Sequence, residues 1–288
     1  MEKAYKYLIA GLAVGLVIAA AGTFALSSTM VNQDDCSECH EGHGSVVNPE
    51  VNVNGTIVFT GDTPKDEFIP VSDIFTLKQI DLVTLKSQND EGVPSRGVPV
   101  VDFLKAHGVS DFEKIILYAD DFEVTVAKDQ MNDETVFVPH TYSVRILSSN
   151  MPVSTWLKNI KTIVVVGSES GDSISLNGKD ISFGEMLDNG VQSMVNNRRT
   201  NGYVYQDKSY QFEAGYVVTG ISVKDLLFKE GYTDFSKVTV KGSDEKTYAR
   251  DEVLKGSLFL TRDQGSIKLA TADKTRPNWT DVQSISVE

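Results

Sequence analysis

The spacing of apolar residues divides the chain into three stretches. Leu8 to Leu26 (LIAGLAVGLVIAAAGTFAL) carries no charge, close to the ~20 residues a helix needs to span a bilayer. Lys3 and Lys6 precede it, and Asp34 and Asp35 follow. The positive-inside rule then places the start of the chain in the cytoplasm and the remainder outside. The stretch also suits a cleaved export signal, with Ala21, Gly22 and Ala25 as small residues near a cleavage site. Residues 27–50 are small and polar and read as a linker. Past Asn48-Pro49 the pattern changes to short β-rich runs: 51–59 (VNVNGTIVF), 114–119 (KIILYA), 135–147 (TVFVPHTYSVRIL) and 162–167 (TIVVVG). Between them, Val100, Phe103 and Leu104 recur at helical spacing and Gly108 follows as a C-cap.

The β-rich part repeats itself. Gly97-Val-Pro-Val-Val-Asp-Phe-Leu-Lys-Ala-His-Gly108 aligns with Gly220-Ile-Ser-Val-Lys-Asp-Leu-Leu-Phe-Lys-Glu-Gly231. Val109-Ser-Asp-Phe-Glu-Lys114 aligns with Tyr232-Thr-Asp-Phe-Ser-Lys237, and Asn54-Gly55 with Asn177-Gly178. Trp156, Ile160 and Ile163 align with Trp279, Val282 and Ile285. Such anchors at nearly one offset predict a duplication rather than a solenoid, which needs more and shorter repeats. The expected class is α+β: an N-terminal transmembrane helix or signal segment (1–33), a short haem-attachment linker (34–48), and two duplicated β-rich mixed domains (49–168 and 169–288). Each copy would hold about 120 residues, enough for one core.

Composition narrows the function. With 288 residues, 41% hydrophobic and 23% charged, the chain is globular rather than disordered. A net charge of −13 excludes nucleic acid as a partner, because phosphate must be neutralised by Lys and Arg. There are two cysteines, Cys36 and Cys39, so there is no disulfide framework and no cysteine ligand elsewhere.

The repeat unit resembles the molybdopterin-binding oxidoreductase domain of the sulfite oxidase type. The likeness rests on the Asn-Gly strand, the segments Phe75–Ile80 and Ile181–Leu187, the G-V-P-V-x-D-F-L helix, and the closing W-x-x-x-I-x-x-I-x-V. It covers most of both copies and implies a shared fold. Catalytic members of that family ligate molybdenum through a Cys shortly before the G-V-P helix. Residues 84–96 and 194–219 contain none, and a thiolate is the soft ligand such a metal needs. The resemblance therefore implies the fold and not molybdopterin. Arg145 and Arg198-Arg199 are possible anion contacts, with a solvated loop as the plainer reading of the Arg pair.

The chemistry concentrates in Asp34-Asp-Cys-Ser-Glu-Cys-His-Glu-Gly-His43. Cys36-x-x-Cys39-His40 is the attachment motif of c-type haem. Two thiols at this spacing reach the two vinyl groups on one porphyrin edge, and the adjacent His40 lies under the iron as axial ligand. Haem attachment takes place outside the cytoplasm, which agrees with the topology. A zinc site from Cys36, Cys39, His40 and His43 is the first alternative, although four ligands in eight residues are cramped. A Cys36–Cys39 disulfide or thiol redox pair is the second. For a second axial ligand, His43 cannot readily swing to the opposite face of its own porphyrin. It can act in trans on a neighbouring molecule, giving a haem-bridged homo-oligomer. His140 is the internal alternative; His107, Met30, Met131, Met151, Met186 and Met194 are the remaining donors. Asp34-Asp35 and Asp120-Asp121 read as solvated turns, and Asn54-Gly-Thr56 and Asn278-Trp-Thr280 as glycosylation sequons in a suitable host.

The resulting expectation is a membrane-anchored, extracytoplasmic monohaem c-type cytochrome in one-electron transfer with a redox partner protein, with one covalent haem c. A non-redox surface binding or structural protein built on degenerate repeats stays open. So does a molybdopterin-dependent oxidoreductase without a Cys ligand.

Overall fold

The computed structural model describes residues 55–84, 93–119, 122–188, 209–211, 217–263, 265–271 and 278–288. In the first half the chain runs β1 (Thr56–Gly61), β2 (Glu67–Pro70), α1 (Val71–Ile74), β3 (Ile80–Thr84), β4 (Val93–Pro99), α2 (Val100–Ala106), β5 (Lys114–Tyr118), β6 (Glu123–Ala127), β7 (Thr135–His140), β8 (Ser143–Ser148) and β9 (Thr162–Val166). The second half runs β10 (Ser173–Leu176), β11 (Lys179–Ser182), α3 (Phe183–Leu187), β12 (Ser209–Gln211), β13 (Val217–Ser222), α4 (Val223–Lys229), β14 (Lys237–Gly242), β15 (Glu245–Ala249), α5 (Arg250–Leu254), β16 (Leu258–Asp263), β17 (Ser266–Thr271) and β18 (Asn278–Val287).

The strand order of the first half recurs in the second. Sheet β2-β1-β9-β5-β6 has the counterpart β11-β10-β18-β14-β15. Both contain one parallel pair, β1 with β9 and β10 with β18. The second sheets, β3-β4-β7-β8 and β12-β13-β16-β17, also match. The ten-residue β18 serves both sheets of its half, pairing with β17 through Asn278–Asp281 and with β14 further on. One sequence anchor does not survive this comparison. Asn177-Gly178 forms the turn between β10 and β11, with Asn177 at φ 49°, whereas Gly55 precedes β1.

Asn48–Glu288 form one compact unit, and the β-branched run in β9 explains why. Ile163 and Val165 point into the first core with Ile115 and Leu117. Val164 and Val166 point the other way, with Ile116 and Tyr118, into the second core beside Leu176, Phe183 and Leu227. A sheet covered on both faces needs apolar residues at consecutive positions, and this one has them at residues 115–118 of β5 and 163–166 of β9. The second half lacks that property. Where the first sheet pairs Ile116 with Val164, its counterpart pairs Thr239 with Ser286, and Lys241 lies exposed. The second sheet therefore turns a polar back to solvent, and the stack stops at two.

Two expectations are corrected. The class is predominantly β rather than α+β, because the described α-helices hold only four to seven residues each. The transmembrane helix is not supported: Leu8–Leu26 lies outside the described residues, and among the described residues no helix is long and apolar enough to cross a membrane.

Candidate functional site

Cys36, Cys39, His40 and His43 lie outside the described residues, as do Met30, Met194, Asp120-Asp121 and Arg198-Arg199. The donor set itself suits haem c, with two thiols for thioethers and an imidazole for iron. Among the described residues no group of three or more His, Cys, Asp or Glu could hold a metal ion.

His140 ends β7 at a two-residue hairpin turn. Its Nδ1 lies 3.1 Å from Asn159 Oδ1 and 3.2 Å from Thr141 Oγ1. An amide oxygen only accepts, so the contact with Asn159 Oδ1 is a hydrogen bond in the tautomer that carries a proton on Nδ1. Both neighbours hold left-handed backbone, Thr141 at φ 44° and Asn159 at φ 54°. For β-branched Thr141 that is a strained conformation, and such strain persists only where the surroundings fix it. His107 is held differently. It caps α2, packs on Phe59 and Phe103, and its Nδ1 lies 3.1 Å from Glu67 Oε2. Met151 and Met186 are buried and Met131 packs against the first core, so these three serve packing. Arg145 stacks on Trp156, 5.4 Å from the ring centre, and Trp156 Nε1 is buried without a hydrogen-bond partner among the described residues.

The densest polar geometry is one that the sequence reading missed. It lies where the halves meet. Asp62, fully buried, follows β1 and accepts three hydrogen bonds. Two come from the second half, Gly184 N (2.7 Å) and Ser182 Oγ (2.8 Å); the third is from Gly167 N (2.8 Å). Ser182 is the N-cap of α3 and also accepts from Glu185 N, so a carboxylate from the first half completes the helix start of the second. In the opposite direction, Arg262 reaches from β16 into the first half with a side chain 2% exposed. Its Nε donates to Asp172 (2.7 Å), and its Nη1 donates to Thr63 Oγ1 (3.1 Å) and the Gly61 carbonyl (3.3 Å). Asp66 lies 3.5 Å away and accepts from Thr60. Gly171 and Gly184 supply the room: a Cβ on either would sit 2.6 to 2.7 Å from Asp62 atoms. A signal for Arg262 existed. Leu258 and Leu260 face the core, and period-two alternation puts Arg262 on the same face.

Burial raises the pKa of Asp62, opposed by its three hydrogen bonds, and raises that of Asp66, opposed by Thr60 and Arg262. A carboxyl raised above its unfolded value contributes stability that is complete below the unfolded pKa. That contribution is lost as pH rises through the folded one. Replacing Asp62 by Asn should therefore flatten the fall in stability as pH rises above the ordinary carboxylate range, measured as urea midpoints of both proteins. Parallel pH profiles would contradict the assignment.

No family model matches the chain, and no curated protein does. Among solved structures it is similar to the sulfane dehydrogenase SoxCD from Paracoccus pantotrophus. The identity is 9%, over 80% of this chain and 78% of that one, with a TM-score of 0.30. At that score the likeness carries no argument.

Proposed function

We propose that the chain is an extracytoplasmic monohaem c-type cytochrome that carries single electrons to or from a redox partner protein. The observation that carries the reading is Cys36-Ser-Glu-Cys39-His40, in a segment preceded by an uncharged export-type stretch. Cys36 and Cys39 would hold the porphyrin edge and His40 the iron; the haem, when bound, supplies a one-electron couple. The two halves, read as copies of one ancestral domain, serve as scaffold and docking surface. Their shared strand order and matched G-V-P-type helices support that reading.

Purified protein should show a Soret band and a haem stain that survives denaturation; colourless protein would contradict the reading. His43 would supply the second iron ligand to a haem on a neighbouring molecule, with His140 as the internal alternative. His43→Ala should keep covalent haem but lose oligomers and shift the spectrum. If instead His140→Ala alone shifts the spectrum, the ligand is internal. The contact of His140 Nδ1 with Asn159 Oδ1 is the kind of hydrogen bond that orients a metal-binding imidazole.

A further inference from the structure

Arg262 and Asp62 make no direct contact in the hydrogen-bond geometry above, yet they grip the same short loop. Arg262 holds the Gly61 carbonyl and the Thr63 hydroxyl, the residues on either side of Asp62. Gly61 is at φ 95°, a left-handed turn open to glycine. The Thr63 amide closes the turn on the Gly61 carbonyl at 2.9 Å. Asp62 is thereby aimed out of the first half at Gly184, Ser182 and the turn after β9 at Gly167. Asp172 holds the guanidinium from the other side, and the Asp172 carbonyl accepts from Phe183 N, in the first turn of α3. The contacts form a closed circuit: β16 to the loop 61–63, the loop to α3, and α3 back to Asp172.

We propose that Arg262 is a positioning residue for a two-way latch, in which its grip on Gly61 and Thr63 presents Asp62 to α3 and so keeps that helix closed on the first sheet. The latch is independent of haem chemistry, since every member lies between Gly61 and Arg262. α3 is packed in the second core through Phe183, Met186 and Leu187, and the latch fixes its start against the first sheet. Opening free energies differ from one segment of a fold to another, and amide exchange reads them residue by residue. The bonds at the start of α3 come from Asp62 of the other half, from the Asp172 carbonyl and from its own Ser182 cap.

Residue-resolved amide exchange on the full chain tests the proposal. In Arg262→Met, the amides of Gly184 and Gly167 should exchange about tenfold faster or more. Those of Val240 and Ile285 in the paired β14 and β18 should stay within about twofold. Thr63→Val, which removes one grip and leaves the guanidinium and its Asp172 partner in place, should give the same pattern at smaller amplitude. It keeps the test alive if Arg262→Met does not fold. Two results would overturn the latch: unchanged exchange at Gly184 and Gly167 in the folded variants, or equal acceleration across the whole second half, which marks plain destabilisation. Lys179→Met, at an exposed ion pair with Glu230, should leave the Gly184 and Gly167 amides as they are in the parent.

Discussion

Gly184→Val is expected to lower the thermal midpoint by about 6–20 °C, or to prevent the second half from folding. Gly184 is the second residue of α3, where the helix start is pressed against the first sheet. A Cβ there would overlap the Val165 carbonyl and sit 2.7 Å from Asp62 Cγ. The first neighbour is backbone in a central strand and cannot move aside. The second can move only by giving up its bonds to Gly184 N, Ser182 Oγ and Gly167 N. Overpacking costs about 1–3 kcal/mol, and a hydrogen bond to a charged group contributes about 1.5–3 kcal/mol. The combined loss is about 3–5 kcal/mol, near the upper end of what single substitutions do. At roughly 2–4 °C per kcal/mol for a chain of this size, the midpoint falls by about 6–20 °C. Gly178→Ala is the contrast. It has open space around it and a φ of 86°, so only backbone strain of about 1 kcal/mol is at stake. Circular dichroism melts of the two variants should differ widely; equal shifts would show that the approach of α3 to the first sheet is not tight.

The second large effect concerns the haem. Cys39→Ala should abolish stable haem incorporation in cells that mature c-type cytochromes. On the proposed reading, Cys39 would supply one of the two thioethers, and a haem left with Cys36 alone would no longer be fixed beside His40. Protein yield should be nearly unchanged, because Cys39 precedes Asn48–Glu288, the unit that contains both cores. That separation discriminates between readings. Loss of colour with normal yield supports a haem carried ahead of a self-sufficient β scaffold. Loss of yield with no colour in the parent would point to a cysteine role in folding or metal binding.

The sequence was legible where local pattern and tertiary role agree. Val100–Ala106 is helical with Gly108 at φ 81° after it, as the apolar spacing and the glycine required. The runs 114–119 and 162–167 became β5 and β9. The run 135–147 became a hairpin, β7 and β8, whose turn falls at Thr141-Tyr142, a pair without the usual turn residues. Class was misjudged because amphipathic patches such as 181–187 promise more helix than a five-residue turn delivers. The Asp62–Arg262 junction was illegible for a different reason. Its members are scattered from position 61 to position 262 and only the docking of the halves collects them. The polarity of Thr239 and Ser286 against Ile116 and Val164 was on the page as sequence, but its meaning depends on knowing which sheet face the second half covers.

The most direct test of the cytochrome reading is the intact mass of the purified exported protein under denaturing conditions. The account predicts a mass above that of the polypeptide by one covalently bound haem, with one iron per chain. A mass equal to the polypeptide alone, or a zinc-loaded protein without iron, would contradict it.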